Sequence, residues 1–428
     1  DTMCNNDIKQ LLSNSTIGTP SGTRPGTGSS NGSSNGSSND SPNNDREGTS
    51  IDATIKNKMD LEVYKWRLPI KKEGNFKDHF SNLLLFSGSS FITGLEVAVL
   101  STLYYVAVTY PSLSTPTSCT LLHLFYYLLT TSLFRRFYNA FLEACYFNFP
   151  AMRTQDEKEH RLIKSKKDLN GRQMEQLKTL HLHDIGTFLS TTVLDLALYF
   201  LIPGFYPSPS APPPPLLHRV LKLITNHLVM SFGMYWLHRS CHNVPLLWRI
   251  HGVHHWAKHP LSRNTYEDHW LDNFSNAIVG HAVAQVLVPL DWGTFVFSHV
   301  FRIAESLEKH SGFSSYLNFA HQITVLFLPW AQMPHHHDWH HEGNKGSNYT
   351  FSSIGGIWDC IFKTRHEGRS KKLGNQASGY DRRLTDDKVN GIYIRPKKGF
   401  ADTAFGSLLP VAVVLVAAGF KLWNKGGT

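Results

Sequence analysis

Four apolar runs, each followed by a polar or basic connection, constrain this chain more than any other feature. Residues 82–110, 121–134, 185–206 and 216–237 are dense in Leu, Phe, Tyr, Val and Ile. About 20 apolar residues cross a bilayer, a length that 82–110, 185–206 and 216–237 reach; the second run reaches it only if it begins near Ser118. In hydrocarbon every backbone N–H and C=O must be satisfied within the protein, so such runs become helices. The expected fold class is therefore an all-α integral membrane protein with four or more transmembrane helices. Two further apolar stretches, 272–301 and 313–333, carry His281, His299 and His321, and are expected either to span or to re-enter and cap a site. Residues 403–423 read as a C-terminal apolar anchor.

Charge orients these runs. The net charge is +9, yet only 18% of residues are charged while 12% are aromatic. The cations concentrate in 61–80, with Lys65, Arg67, Lys71, Lys72 and Lys77, and in a loop at 152–180 centred on Lys164, Lys166 and Lys167. The connections 111–118 and 207–215 have none. Basic loops stay cytoplasmic, so two hairpins cross and return, and everything after residue 237 emerges on the cytosolic face. The partner of the positive charge is an anionic membrane surface. No RNP-like or zinc-finger pattern supports nucleic acid. Five scattered cysteines without a CxxC argue against a disulfide framework and a thiolate metal site. Near residue 1 no charged segment precedes an apolar one, so no secretory signal is expected. Residues 1–60, with SSNGSSNGSSND, are too polar to bury a core and are expected to be disordered. The expected units are that tail, membrane helices over 61–237, a histidine-rich helical di-metal domain over 238–364, a basic cytosolic segment over 365–402, and the anchor.

Eighteen of the 24 histidines lie between His218 and His341. Three groups have ligand spacing: HRSCH with His238 and His242, HGVHH with His251, His254 and His255, and HDWHH with His337, His340 and His341. On a helix, offsets of three and four share a face. Eight imidazoles on converging faces are too many for one ion and suit two neighbouring metals. Imidazole without thiolate suits Zn, Cu, Fe or Ni. A paired metal at a membrane surface, with no nucleotide fingerprint, points to O2 activation for an apolar substrate. A metal transporter or non-catalytic metal-binding protein is the competing class, but its ligands would lie within spans, and here they follow them. No HExxH is present for a peptidase.

These boxes resemble those of the fatty acid hydroxylase superfamily, also called the sterol desaturase family, over about Tyr235 to Thr364. ESLEKHSGF (305–313) and GIWDCIFKT (356–364) resemble segments of its sterol branch, with Lys363 where Gly is usual. The resemblance implies that the eight box histidines ligate iron, and adds His310 and His269 as ligands. It also implies two non-haem irons, O2, and electrons from NAD(P)H through external carriers, a reductase or cytochrome b5, since no HPGG or GxGxxG occurs. Metal-bound imidazoles donate their outer N–H to a carboxylate or carbonyl; Asp338, Glu305, Glu308 and Asp268 are candidates, and His336 is expected beside the ligands. His259 and His335 are expected to be surface or satisfied histidines, Trp339 to pack against lipid or substrate, and Asp359 to hold the third box's loop. The implied activity is oxidation of a sterol-pathway lipid at the endoplasmic reticulum membrane. Squalene epoxidation is the leading expectation, because the tail, the 152–180 insertion and the C-terminal anchor depart from compact 4-methyl sterol oxidases. Methyl sterol oxidation and sterol desaturation are the alternatives.

Overall fold

A computed structural model describes residues 90–111, 119–149, 152–153, 171–257, 260–315, 317–327, 334–343, 350–352, 356–364 and 399–426, with the single residue 77. The tail 1–60, the core of the basic insertion (154–170) and most of 365–402 lie outside the described residues. The described residues are helical and contain no β-strand, only an isolated bridge between Arg153 and Phe313. The helices are α1 (Ser90–Thr109), α2 (Leu121–Asn148), α3 (Gly171–Leu201), α4 (Leu216–Asn243), α5 (Pro245–His251), α6 (Trp270–Asn276), α7 (Val283–Leu287), α8 (Trp292–Lys309), α9 (Phe319–Phe327), α10 (Pro334–Gly343), α11 (Ile357–Ile361) and α12 (Ala404–Gly426). A π-helical turn, Ala277–Ala282, joins α6 to α7.

Among the described residues, two helices are long and apolar enough to cross a membrane by length and composition, over Leu182–Leu201 of α3 and Ala404–Asn424 of α12; Thr93–Thr109 of α1 is a shorter apolar stretch. Two sequence boundaries are corrected. The second apolar run was expected to stop at Arg135 and Arg136, but α2 continues to Asn148. Glu96 of α1 accepts from Ser132, Arg135 (3.3 Å) and Arg136 (3.1 Å to Nε), so both guanidiniums are neutralised within the helix pair. The basic loop was expected to run to residue 180, but α3 begins at Gly171.

Local chemistry explains the helix ends. Thr120 and His123 form a reciprocal cap at the start of α2, which satisfies two otherwise orphaned N–H groups. Pro215 closes the proline run and leads into α4. Asp291 caps α8 by accepting from the Thr294 N–H at 3.3 Å. Gly356, at φ +69°, turns the chain into α11.

α4 is the central strut. Its Gly233 meets the π turn so closely that a Cβ there would sit 2.6 Å from the Val279 carbonyl oxygen, and a Cβ at Gly280 would sit 2.9 Å from Met234 Cγ. α12 joins this bundle: Val411 enters the cluster of Tyr235 and Trp236, and Val414 and Ala418 enter that of Val283 and Val286. Arg239 of α4 pairs with Asp402 at 2.6 Å just before α12. α8 buries a polar stripe, Ser298, Arg302, Glu305 and Glu308, that leads to His310 at its C-terminus. His299 on α8 stacks on His281 of the π turn at 4.6 Å, while His321 of α9 bonds Glu308.

The far half of α2 anchors the loops that carry the histidines. Asn139 accepts from Ser262 at 2.6 Å, Glu143 accepts from the Arg263 backbone at 3.1 Å and its Nε at 2.8 Å, and the Tyr138 hydroxyl donates to Glu308. Glu143 is 1% exposed and paired with a guanidinium, an arrangement whose disruption by removing one partner strands a buried charge.

Candidate metal centre

Nine histidines assemble into two adjacent clusters. The first holds His238, His242, His251, His255 and His340; the second holds His254, His310, His337 and His341. Within each, the ligand nitrogens lie within 4.8 Å of one another. His238 and His242 come from the last two turns of α4, and α10 supplies His337, His340 and His341. The second box is not one helical face, as the spacing suggested. α5 ends at His251, and His254 and His255 sit on a separate 3₁₀ turn, His254–Trp256. That break after His251 sends His251 and His255 to the first cluster and His254 to the second. The third box divides too. His337 and His341, four apart, share the second cluster, while His340 is rotated into the first.

The outer nitrogens of most rings are held by the protein. His251 Nδ1 meets Asp272 at 2.7 Å and His254 Nδ1 meets Asp268. His238, His310 and His341 donate through Nδ1 to the carbonyls of Phe351 (3.0 Å), Ser306 (2.7 Å) and Ala257 (2.9 Å). A donor at Nδ1 leaves a lone pair at Nε2 in neutral imidazole. Those Nε2 atoms converge: His238 on His340 at 3.0 Å, and His310 and His341 on His337 at 2.8 and 3.1 Å. The single His337 Nε2 can donate to at most one of its two neighbours. His251 Nε2 and both nitrogens of His255 are buried with no hydrogen-bond partner, which costs about 1–3 kcal/mol per group unless something else satisfies them. Two nitrogens each about 2.1 Å from one ion and at right angles stand about 3.0 Å apart. Converging lone pairs and orphaned nitrogens therefore fit a cation in each cluster, and the donor set is all imidazole.

Electrostatics agree. Burial pulls His238, His255, His310, His337 and His341 well below the usual histidine range, with the neighbouring imidazoles acting in the same direction, which favours the neutral form that can bind a metal. His254 differs: burial pulls it down, but the Asp268 carboxylate more than offsets this and holds it above the usual range. Burial opposes ionisation of Asp272, but His251 beside it holds its carboxyl below the usual value. Lys309, buried beside Arg302, is pushed down to about 8 and donates to the Ser352 carbonyl at 2.7 Å.

The other expected residues are dispersed. His310 joins the second cluster. His269 lies outside both: its Nδ1 accepts from Leu271 to cap α6, and its ring rests on His183 at 4.2 Å. Glu305 accepts from Arg302 at 2.6 Å, and Glu308 accepts from Tyr138 and from the backbones of Ala320 (2.9 Å) and His321 (2.8 Å). Both organise α8, not the ligands directly. His336 and Asp338 are buried on α10. His259 and the side chains of His335 and Trp339 lie outside the described residues. Asp272 was missed by the sequence reading, although YEDHWLD places it four residues after Asp268. Asp359 accepts from the Phe351 and Ser352 backbones (2.9 and 2.7 Å) and from Thr364 (2.5 Å). It thus holds the 350–352 strap whose Phe351 carbonyl orients His238. Lys363 adopts φ +55°, the left-handed conformation that explains why glycine suits this position.

The fold and site define a helical protein with two adjacent all-histidine clusters beside apolar helices. Residues 223–364 match the family described as fatty acid hydroxylase, so this part of the chain is similar to that family. A very-long-chain aldehyde decarbonylase of Oryza sativa subsp. japonica is 29% identical over 36% of this chain and 49% of its own length. Methylsterol monooxygenase 1 of Rattus norvegicus is 28% identical over 33% of this chain and 47% of its own length. That of Danio rerio is 30% identical over 30% and 42%. The chain thus spans about half the length of these curated relatives. No solved structure matches.

Proposed function

We propose that this chain is an O2-dependent, non-haem di-iron monooxygenase acting on a sterol-pathway lipid at the endoplasmic reticulum membrane. The observation that carries this reading is the pair of adjacent imidazole clusters, nine histidines with converging Nε2 atoms. The ligand set is His238, His242, His251, His255 and His340 for one iron and His254, His310, His337 and His341 for the other. Bound iron supplies activation of O2 for attack on an unactivated carbon. The chain's own residues do the rest. Asp272 and Asp268 hold the Nδ1 protons of His251 and His254 and so keep the inner nitrogens aimed inward. The Phe351, Ser306 and Ala257 carbonyls do the same for His238, His310 and His341. Eight of the nine ligands are at most 7% exposed, and α2, α8 and the 350–352 strap close around them and exclude bulk water.

The full membrane arrangement belongs to this proposal: four or more crossing helices, with the histidine domain on the cytosolic side. Electrons come from NAD(P)H through cytochrome b5 or a reductase. Squalene epoxidation is the finer reading, supported by the N-terminal tail, the 152–180 insertion and the C-terminal helix that α4 incorporates. The second reading, 4-methyl sterol oxidation, is favoured by the names of the rat and zebrafish relatives.

Expression in yeast depleted of its own squalene epoxidase, beside a His340→Ala control, tests both by mass spectrometry of the nonpolar lipids. Histidine-dependent appearance of mono-oxygenated squalene establishes the epoxidase. Unchanged squalene, with rescue of a strain lacking methyl sterol oxidation, establishes the second reading. No histidine-dependent product in either strain refutes the oxygenase.

A further inference from the structure

The ligands are buried, yet the proposed reaction needs two electrons delivered from outside. Seven of the eight box histidines are at most 7% exposed and only His238 is partly exposed, so a carrier protein meets the centre only at its edge. One half-buried aromatic side chain bridges the gap. The Trp248 indole, on α5, lies 5.0 Å from the His242 ring and 5.3 Å from the His255 ring, centroid to centroid, and 6.2 Å from that of His251. It therefore touches three members of the five-histidine cluster while still reaching the surface. Phe351, which also rests on His242 at 5.5 Å, is 1% exposed and reaches no surface.

The indole's position is built in by its neighbours. A Cβ at Gly252 would sit 3.1 and 3.2 Å from indole Cε2 and Nε1, and 2.6 Å from the Trp248 carbonyl oxygen. The glycine within HGVHH thus makes room for the ring, and a side chain there would displace it. On α5, Trp248 lies between an exposed apolar side chain, Leu246, and an exposed cation, Arg249. Leu246 is 65% exposed and Ile361 54%. Leu247 and Phe362 each pack against the buried cluster of Tyr235, Trp236, Leu237 and Cys241, and Arg249, next to Trp248 on α5, is exposed.

We propose that Trp248 is the port through which electrons enter the first cluster, and that the outer face of α5 docks an acidic, one-electron haem carrier of the cytochrome b5 type. This rests on the oxygenase reading above. Inserting one oxygen atom into the lipid consumes O2, two electrons and two protons, and releases water. Two carriers are each oxidised by one electron, and the protons come from solvent. Electron tunnelling falls off exponentially with separation, so rings in contact are the favoured route from a docked haem. The exposed apolar Leu246 and the Arg249 cation beside it on α5 match an acidic partner, and such charges govern encounter rate and salt dependence. Small, transient contacts are usual for electron carriers.

The test uses the full iron-loaded chain in nanodiscs and the reduced soluble haem domain of cytochrome b5 as the probe. Haem reoxidation is followed by stopped flow, reduction of the chain by dithionite is measured in parallel, and iron per chain is counted. Trp248→Leu and Gly252→Ala are expected to lower the ratio of carrier-driven to dithionite-driven reduction at least tenfold with two irons retained. Trp248→Phe keeps an aromatic ring and is expected to recover most of that ratio. Arg249→Glu is expected to raise the carrier concentration for half-maximal rate at least fivefold and to flatten the salt dependence. A ratio within twofold of wild type in Trp248→Leu overturns the proposal, as does loss of iron in both Trp248→Leu and Gly252→Ala, which would mark the indole as structural support only. A wild-type chain that holds two irons and is reduced by dithionite but not by the haem domain also overturns it. A wild-type chain that binds no iron overturns the oxygenase reading instead.

Discussion

Replacing Asp359 with alanine removes the group that ties the 350–352 strap to α11. Its carboxylate accepts from Phe351 N at 2.9 Å, Ser352 N at 2.7 Å and Thr364 Oγ1 at 2.5 Å. The three donor residues are at most 1% exposed, and Asp359 itself is fully buried. Each donor left without an acceptor costs about 1–2 kcal/mol, so the loss is roughly 3–6 kcal/mol. Part of this is offset because a buried charge also disappears, but that charge faces the buried cation of Lys309, and removing one of two buried opposite charges costs more than it returns. For a domain of this size each kcal/mol lowers Tm by about 2–4 °C, so the expected drop is roughly 6–24 °C. The strap also positions the Phe351 carbonyl on His238 Nδ1, so iron should fall from two per chain towards one, with the first cluster affected. Differential scanning fluorimetry in detergent and iron analysis of the same preparation check both. Asp359→Asn retains one acceptor and should fall between. An Asp359→Ala protein with Tm within 2 °C of wild type and two irons would refute the reasoning.

The remaining predictions bear on the site and the helix contacts. His340→Ala should abolish turnover and lower iron content while membrane insertion, read by carbonate extraction, stays normal; full activity would remove the metal-site reading. Lys363→Gly should raise stability by about 1 kcal/mol, because glycine adopts the observed positive φ without the steric cost a side chain meets there, and equilibrium unfolding measures it. Gly233→Ala should cost about 1–3 kcal/mol by forcing α4 away from the Val279 carbonyl, seen as a lower Tm; an unchanged Tm would show that α4 and the π turn slide apart freely.

Much of this was legible along the chain, and for a definite reason. Ligand spacing, apolar run length and the HSGF segment are local patterns, each resting on a few residues whose chemistry is independent of the fold. The eight box histidines and His310 carry that chemistry wherever the backbone leads. The clustering of those nine, the helical runs of α1, α3 and α12, and the holding role of Asp359 were accordingly within reach. Glu96 was not: a carboxylate 39 residues before Arg135 has no sequence signal linking it to that arginine, so the true end of α2 could not be read. His269 has a plausible spacing but serves as a helix cap beside His183. Asp272 looked like any acid on a polar turn until folding set it against His251.

The sequence by itself determined long apolar helical runs and three groups of imidazoles at ligand spacing, because periodicity, run length and ligand type are properties of short segments. Only the tertiary structure decided which histidine serves which cluster. The second box divides because the helix ends at His251 and turns, and the third because His340 is rotated away from the face shared by His337 and His341. It also decided which carboxylates and carbonyls hold each Nδ1, and that one indole joins the buried rings to the surface. Those choices depend on where separate helices cross, and crossing is set by packing between residues far apart in the chain, such as Gly233 against Val279.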